Sequence, residues 1–323
     1  MEVRKITQED IPELIRFGEK AFPDRKDKYN KLINFVFHDR ISEYTGGIIL
    51  LDDNNKIVGQ SLYTTMNLHY NNEIRQSGWG YELIVDEKYR KETWGIEIMM
   101  ACRRLFPGTC STGSNPTALK LNQKLGYNLI GEIRKYIGIS SIPFLFKTLL
   151  PSKKSYPDDI NDFTLIKDKS EFRIKRFYNQ YLIEPGREKD FIEWRFFSPN
   201  FKKYSVYQNK DDDYFVLRTI RYKGIEMLLV SDFRCSLNNC DSFEKMYKTI
   251  KKIAVKKRIP FVLCSSSHKI TDEILEKNYA KSIGRPRPIV FSKKLKDWFH
   301  QEKIEERSLC FITFGDSDGE WNW

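Results

Sequence analysis

Along the first half of the chain, apolar positions switch between the alternation of a strand and the three-to-four spacing of a helix. Val3–Ile6 reads as a short strand. Thr7 then stands where a helix N-cap would, with Asp10 as its capping-box partner, and Ile11, Leu14 and Ile15 follow at helical spacing. Gly18 takes the next place on that face and weakens the stripe. Tyr29–Phe37 reads as a second helix. The stretch GGIILLDDNNKIVGQSLYTTMNLHYNNEIRQSGWGYELIV is a run of strands, with hairpin turns at Asp52–Lys56 and Asn71–Glu73. A helix from Gly95 to about Leu105 follows, then a short strand, GTCSTGS. NPTALKLNQKLGY reads as a helix capped by Asn115, with Pro116 in its first turn and Gly126 at its end. NLIGEIRKYIGI is strand-like. The order is β-α-α-β-β-β-α-β-α-β.

Pro151–Asp159 is polar with two prolines and reads as a linker. The plan then repeats. A helix over Glu171–Tyr181 leads to DFIEWRFFSPN, and strands fall in KYSVYQN, DYFVLRTIRY and EMLLVSDFRC. A long helix, about Ser242–Lys257, precedes the strand PFVLCSS, the helix TDEILEKNYAK, and strands in PIVFSK and CFITFGD. The halves share element order and not letters, which implies an internal duplication of an α/β fold, with domains at 1–150 and 151–323.

Composition adds limits. A chain of 323 residues suits about two domains. With 40% hydrophobic and 14% aromatic residues it can build real cores, and its 31% charged residues are of interspersed sign, which excludes disorder. The net charge of +11 would attract polyanions: nucleic acid, anionic lipid or a polyanionic small molecule. The densest basic run, Lys248–Arg258, alternates with apolar residues and reads as a solvated helix face before an anion site. Six cysteines form no C-x-x-C pair and only four histidines exist, so metal-ligand spacing is absent and no metal is expected. Reduced thiols, a polar and acidic N-terminus and the lack of any long apolar run lead to the expectation of a cytoplasmic protein with no membrane span. The apolar piece Ser141–Pro151 is too short to cross a bilayer.

Two blocks carry a family resemblance. LIVDEKYRKETWGIEIM resembles the strand-turn-helix of the GNAT superfamily of acyl-CoA-dependent N-acyltransferases, in which V-x-P-x-Y-R precedes a glycine-rich loop. Val85, Tyr89, Arg90 and Gly95 match it, while Lys91, Glu92 and Thr93 replace the missing glycines. SNPTALKLNQKLGYNLIG resembles the downstream block of that family through Asn115, Ala118, Lys124, Leu125, Gly126 and Tyr127. Together the blocks run from Leu83 to Gly131. The second half resembles GNAT in topology only, since MLLVSDFRC enters its helix without such a loop. The resemblance implies two tandem GNAT-like domains, each a mixed, mostly antiparallel sheet flanked by helices. The tandem form is similar to bacterial transferases of surface-polysaccharide pathways.

The resemblance implies an acyl-CoA site. The pyrophosphate would meet the backbone N–H groups from Arg90 through Lys91, Glu92, Thr93 and Trp94 to Gly95, at a helix N-terminus. The pantetheine would lie in a splay between Glu82–Val85, including Leu83, and about Thr109–Thr112. Asn115 would reach the cofactor or serve only as a helix cap. Asn122 stands where many relatives place the tyrosine that protonates the departing thiolate, and asparagine is no acid, which leaves that proton to water or Tyr127. Glu82 and His69 are candidate general bases. In the second half, Trp194 and Arg195 are candidates for holding an anionic acceptor. The RPRP segment, Arg285–Pro288, reads as a loop. The terminal Asp316, Asp318 and Glu320 read as an acidic tail, with Trp321 and Trp323 docking it, and the spacing falls short of a full Ca²⁺ loop.

Three functions stay open at this point. The first is acyl-CoA-dependent transfer of an acetyl or other short acyl group to a small amine, a nucleotide-linked amino sugar being one acceptor. The others are a tRNA-dependent aminoacyl transferase, which the positive charge fits, and a CoA-binding module without catalysis.

Overall fold

The alternating segments of the first half become an antiparallel meander. β1 (Glu2–Lys5), β2 (Thr45–Leu51), β3 (Ile57–Tyr70) and β4 (Glu73–Val85) pair in order, with α1 (Ile11–Ala21) and α2 (Lys26–His38) inserted after β1. α3 (Trp94–Leu105) carries the chain over to β5 (Thr109–Thr112), parallel to β4, and α4 (Pro116–Lys124) leads into β6 (Tyr127–Ile139). The computed structural model describes residues 1–23, 26–38, 45–141, 152–153, 155–198, 202–222, 224–238, 240–298 and 309–316. Most of the apolar piece Ser141–Pro151 and the tail residues Asp318, Glu320, Trp321 and Trp323 lie outside them.

The second half repeats the plan. β7 (Asp159–Ile160), β8 (Phe163–Ile166), β9 (Glu184–Pro185), α5 (Lys189–Phe197), β10 (Ser205–Gln208), β11 (Tyr214–Tyr222) and β12 (Ile225–Arg234) come first. α6 (Asp241–Lys257), β13 (Phe261–Ser266), α7 (Lys269–Lys277), β14 (Ala280–Ser292) and α8 (Lys293–Trp298) complete it. β12 and β13 are parallel, like β4 and β5. A single sheet results, in the order β1-β2-β3-β4-β5-β14-β6-β13-β12-β11-β10-β8-β7, with β9 pairing β3 off this path.

That order places the last long strand of each half inside the other half's sheet. β14 lies between β5 and β6, and β6 lies between β14 and β13. Hydrogen bonding therefore crosses the boundary expected at residue 150. A second joint lies on one face, where Trp194 of α5 stacks on Phe35 of α2 with centroids 4.7 Å apart.

Local details follow from the side chains. Asp10 accepts from the Thr7 N–H at 2.7 Å and its hydroxyl at 2.8 Å, and pairs with Arg4; this caps a 3-10 turn, Gln8–Asp10, that leads into α1. Gly18 is the seat of the Tyr29 ring, whose nearest atom lies 1.8 Å from where a Cβ would stand, so the break in the stripe is what lets α1 and α2 meet. The cationic face of α6 is mostly committed within the chain: Lys248 pairs with Glu244, Lys252 reaches Asn161, and Lys257 donates to Lys153 O.

Three expectations are corrected. Glu171–Tyr181 is not a helix, because its backbone is bonded elsewhere. Arg173 N–H donates to Gln208 Oε1 at 2.9 Å, and the N–H groups of Tyr178 and Asn179 both donate to Glu184 Oε2 at 2.9 Å. CFITFGD is not a strand: it has a single bridge, Ile183 to Cys310, and ends in a 3-10 turn at Phe314–Asp316. RPRP is part of β14, in a register irregularity between Ile283 and Arg287, where a proline is tolerated in a sheet.

Candidate active site

β4 and β5 are paired at only three positions, Gly78–Gly80 against Thr109–Ser111. β4 then runs on to Val85 without β5. On its other side, Gln60 pairs Ile84 and Leu62 pairs Tyr81, so Glu82 and Leu83 together oppose Ser61. This is a β-bulge, and Glu82 takes a positive φ of 54° to make it. A cleft of about 260 Å³ opens where the ladder ends.

Its walls come from both sides of the sheet. Glu82 and Leu83 of the bulge, Met99 and Cys102 of α3, the segment Thr109–Asn115, Asn122 of α4 and Tyr127 of β6 line it, with Phe22, Tyr63 and Phe106. Gly80 leaves the middle open: a Cβ there would find nothing nearer than Cys110 O at 3.8 Å. Arg287 also faces the cleft, beside Gly113, whose φ of 78° and lack of a side chain let the guanidinium approach. This cation belongs to β14, so the second half completes the first half's site.

Burial tunes four groups in the cleft, Tyr63, Cys102, Cys110 and Tyr127. The Tyr127 hydroxyl bonds with Thr109 Oγ1 at 2.7 Å, and burial pushes its pKa up, so it holds its proton at neutral pH. Burial also raises Tyr63, and pushes the Cys102 thiol up to about 11 and Cys110 to about 12, so neither thiol is a nucleophile at neutral pH. Asn122 is buried and donates to Ser114 Oγ at 3.1 Å. Asn115 caps α4 by accepting from Ala118 N–H at 2.8 Å, and lines the cleft as well.

The turn from Arg90 to Gly95 lies at the start of α3 and contributes none of the residues lining the cleft. Ile96 and Glu97 N–H donate to Thr93 O, and among the described residues no backbone acceptor meets the N–H groups of Trp94 and Gly95. The side chains are used locally. Arg90 donates to Val85 O at 2.8 Å, and Trp94 Nε1 donates to Glu92 Oε2 at 2.6 Å. Lys91 is exposed. Val85 is buried in the core under α3. Any anion bound here would rest on N–H groups, with the Glu92 carboxylate opposing it.

Other expected residues lie elsewhere. His69 is buried away from the cleft, stacked on Phe177 and 3.6 Å from Glu188. Trp194 is buried and donates to Phe35 O at 3.3 Å; Arg195 is buried and donates to Gly315 O and the Tyr204 hydroxyl. Trp194 packs across the two halves, Arg195 packs within the second, and neither lines the cleft. Asp316 is not a solvated tail carboxylate: it is buried between Arg187, at 2.6 Å, and Arg234, at 2.8 Å.

The corresponding place in the second half is filled. β12 and β13 pair at Met227–Leu229 and Phe261–Leu263. Beyond that, Ser267 Oγ donates to Cys310 O at 3.1 Å and accepts from Ile312 N–H at 2.8 Å, and Ser265 Oγ accepts from Phe314 N–H at 3.1 Å. Thr313 donates to Asp232 of β12. The segment Leu309–Asp316 occupies the space that is open in the first half.

A scan against protein-family models gives no match, and neither does a search of curated proteins. Solved structures do resemble the chain. A GCN5-related N-acetyltransferase from Anabaena variabilis ATCC 29413 superposes with a TM-score of 0.60 at 14% identity, over 90% of this chain and 72% of that one. The fold is GNAT-like. A probable N-acyltransferase from Enterococcus faecalis V583 gives 0.58 at 13% identity, over 90% and 71%. Saccharomyces cerevisiae N-myristoyltransferase with bound myristoyl-CoA gives 0.56 at 10%, over 90% and 78%. These similarities extend the GNAT-like architecture across both halves. Tyr63, Phe106, Gly80 and Arg287 were not singled out in the sequence. The two prolines of RPRP, which demand an irregular strand, are the only local sign of Arg287's placement.

Proposed function

We propose that the chain is an acyl-CoA-dependent N-acyltransferase that moves an acetyl or other short acyl group directly to the amine of a small acceptor. The observation that carries this reading is the open cleft at the end of the β4–β5 ladder, beside the bulge at Glu82, in a fold whose second such place is filled. The cleft suits a flexible thioester arm: Gly80 leaves room for it, and the strand edge of β4 past Gly80 offers backbone partners. The N–H groups at the start of α3 suit the pyrophosphate. Acyl-CoA is the co-substrate.

The residues then divide the work. Glu82 takes a proton from the acceptor ammonium, directly or through a water, so that a neutral amine attacks the thioester carbonyl. The tetrahedral intermediate gives up the second proton on its nitrogen to water and collapses, the C–S bond breaking as the thiolate leaves, and solvent returns to Tyr127 the proton it gives the thiolate. Tyr127, protonated at neutral pH and lining the same cleft, supplies the proton that asparagine at 122 cannot. Arg287 favours an acceptor with an anionic group, and a nucleotide-linked amino sugar meets that requirement.

Calorimetric titration with acetyl-CoA, followed by a mass-spectrometric screen of amines, tests the proposal. Binding below high micromolar concentration with a product heavier by one acyl group supports it. No binding sinks it, and binding without turnover over a broad amine panel makes the chain a CoA-binding module.

A further inference from the structure

We infer that Phe106 is the end wall of the cleft and confines the acyl group to a few carbons, an inference that rests on the acyl-CoA reading of the site. β4 presents two glycines toward α3, and their surroundings differ. Over Gly80 the space is open, with the nearest atom to a Cβ at 3.8 Å. Over Gly78 it is filled by the Phe106 ring, whose atoms lie 2.3–2.8 Å from where a Cβ would stand. The ring is thus seated in a notch that only glycine leaves.

The wall is braced. Tyr63 meets Phe106 edge-on, with centroids 4.9 Å apart and planes at 79°. Tyr63 is itself seated against Gly46, where its hydroxyl is 2.5 Å from the place of a Cβ. Neither ring can swing back into the sheet, because backbone lies there. Behind the wall is a second hollow of about 380 Å³, lined by Phe106 and Thr109 and by the cations Arg103, Arg104 and Lys294. Phe106 and Thr109 border both spaces. Phe106, with Thr109 beside it, therefore stands between the cleft and a space large enough to take a longer chain.

This separates short from medium acyl groups by shape. In an unobstructed apolar channel each added methylene would strengthen binding roughly fourfold. Against a wall that gain stops, and further carbons cost packing. The acyl-CoA class expected for this chain is acetyl to about butyryl.

The test is a series of titrations of the full chain with CoA, acetyl-, butyryl- and octanoyl-CoA. In the wild type, octanoyl-CoA is expected to bind at least tenfold more weakly than acetyl-CoA. In Phe106→Ala the order inverts, with octanoyl-CoA tighter than acetyl-CoA by tenfold or more. Phe106→Leu keeps an apolar filling and is expected to fall between. Failure of CoA to bind the wild type overturns the site reading and the wall with it. CoA binding with octanoyl-CoA as tight as acetyl-CoA in the wild type overturns the wall alone, whether or not Phe106→Ala folds. An unchanged chain-length order in a folded Phe106→Ala or Phe106→Leu variant does the same.

Discussion

Replacing Asp316 by alanine isolates what holds the second half's splay closed. Its carboxylate pairs with Arg187 at 2.6 Å and Arg234 at 2.8 Å, and accepts from Thr313 N–H at 2.8 Å. Asp232 pairs with the same two arginines, each at 3.1 Å, and accepts from the Tyr214 hydroxyl at 2.6 Å. Arg187 is 1% exposed and Arg234, Asp232 and Glu184 are 0% exposed, so water screens none of these charges. The two guanidinium groups face the Asp232 and Asp316 carboxylates, and Glu184, whose pKa burial raises, lies 3.3 Å from Arg234. Without Asp316 both guanidinium groups lose a carboxylate partner in a dry interior. Breaking a buried pair in this way costs about 3–5 kcal/mol. The assay is chemical denaturation at neutral pH, followed by tryptophan fluorescence, with acetyl-CoA affinity measured on the folded protein. A stability loss below about 1 kcal/mol would refute the charge-balance argument. A stable variant that loses acetyl-CoA binding would move Asp316 into the working site.

Acid should open the same cluster. Burial alone would raise Asp232, but Arg187 and Arg234 outweigh it and hold the group at about 2 against an ordinary 3.8. A depressed folded pKa gives stability that is present above the ordinary value and lost as pH falls toward 2, about 2 kcal/mol in all; a denaturation midpoint flat from pH 5 to 2 contradicts this. Gly80→Val should leave the melting temperature within a few degrees, since its Cβ meets nothing inside 3.8 Å, yet weaken acetyl-CoA binding more than tenfold by filling the cleft; unchanged affinity places the ligand elsewhere. Tyr127→Phe should lower kcat by about 10² or more with KM little changed, and the wild-type rate should show no basic limb below the ordinary tyrosine value of about 10 because burial raises this group; a kcat within threefold of wild type ends its role as acid. Trp194→Ala should cost about 3–5 kcal/mol of stability as a core truncation, and an unaltered midpoint with loss of acceptor binding would return it to the substrate pocket.

Much of this was legible in the sequence because it is local. The capping pair Thr7 and Asp10, the meander turns, the cap at Asn115 and the end of α4 near Gly126 depend on residues a few places apart. The two blocks around Val85–Gly95 and Asn115–Tyr127 also lie on contiguous chain, and together with the repeated element order they pointed to the GNAT-like fold. Segment 171–181 failed for a physical reason: its backbone donors are met by the Gln208 and Glu184 side chains, and helical spacing carries no trace of acceptors outside the segment. The partners of Trp194 and Arg195 were not legible because an amphipathic side chain looks the same in sequence whether it faces a ligand or Phe35 and Gly315.

What only the tertiary structure decided is which half has a cleft and who lines it. Strand propensity fixes that Tyr127–Ile139 and Ala280–Ser292 are extended, but not which neighbours they take. Pairing is set by the free energy of the whole sheet, and it sends each of these strands into the other half. That exchange brings Arg287 to the cleft from more than a hundred and fifty residues beyond the nearest wall of the first half. The same global balance buries Asp316 beside two arginines and draws Leu309–Asp316 into the second splay. Local sequence thus gave two similar halves; long-range pairing and buried charge made one of them open and the other closed.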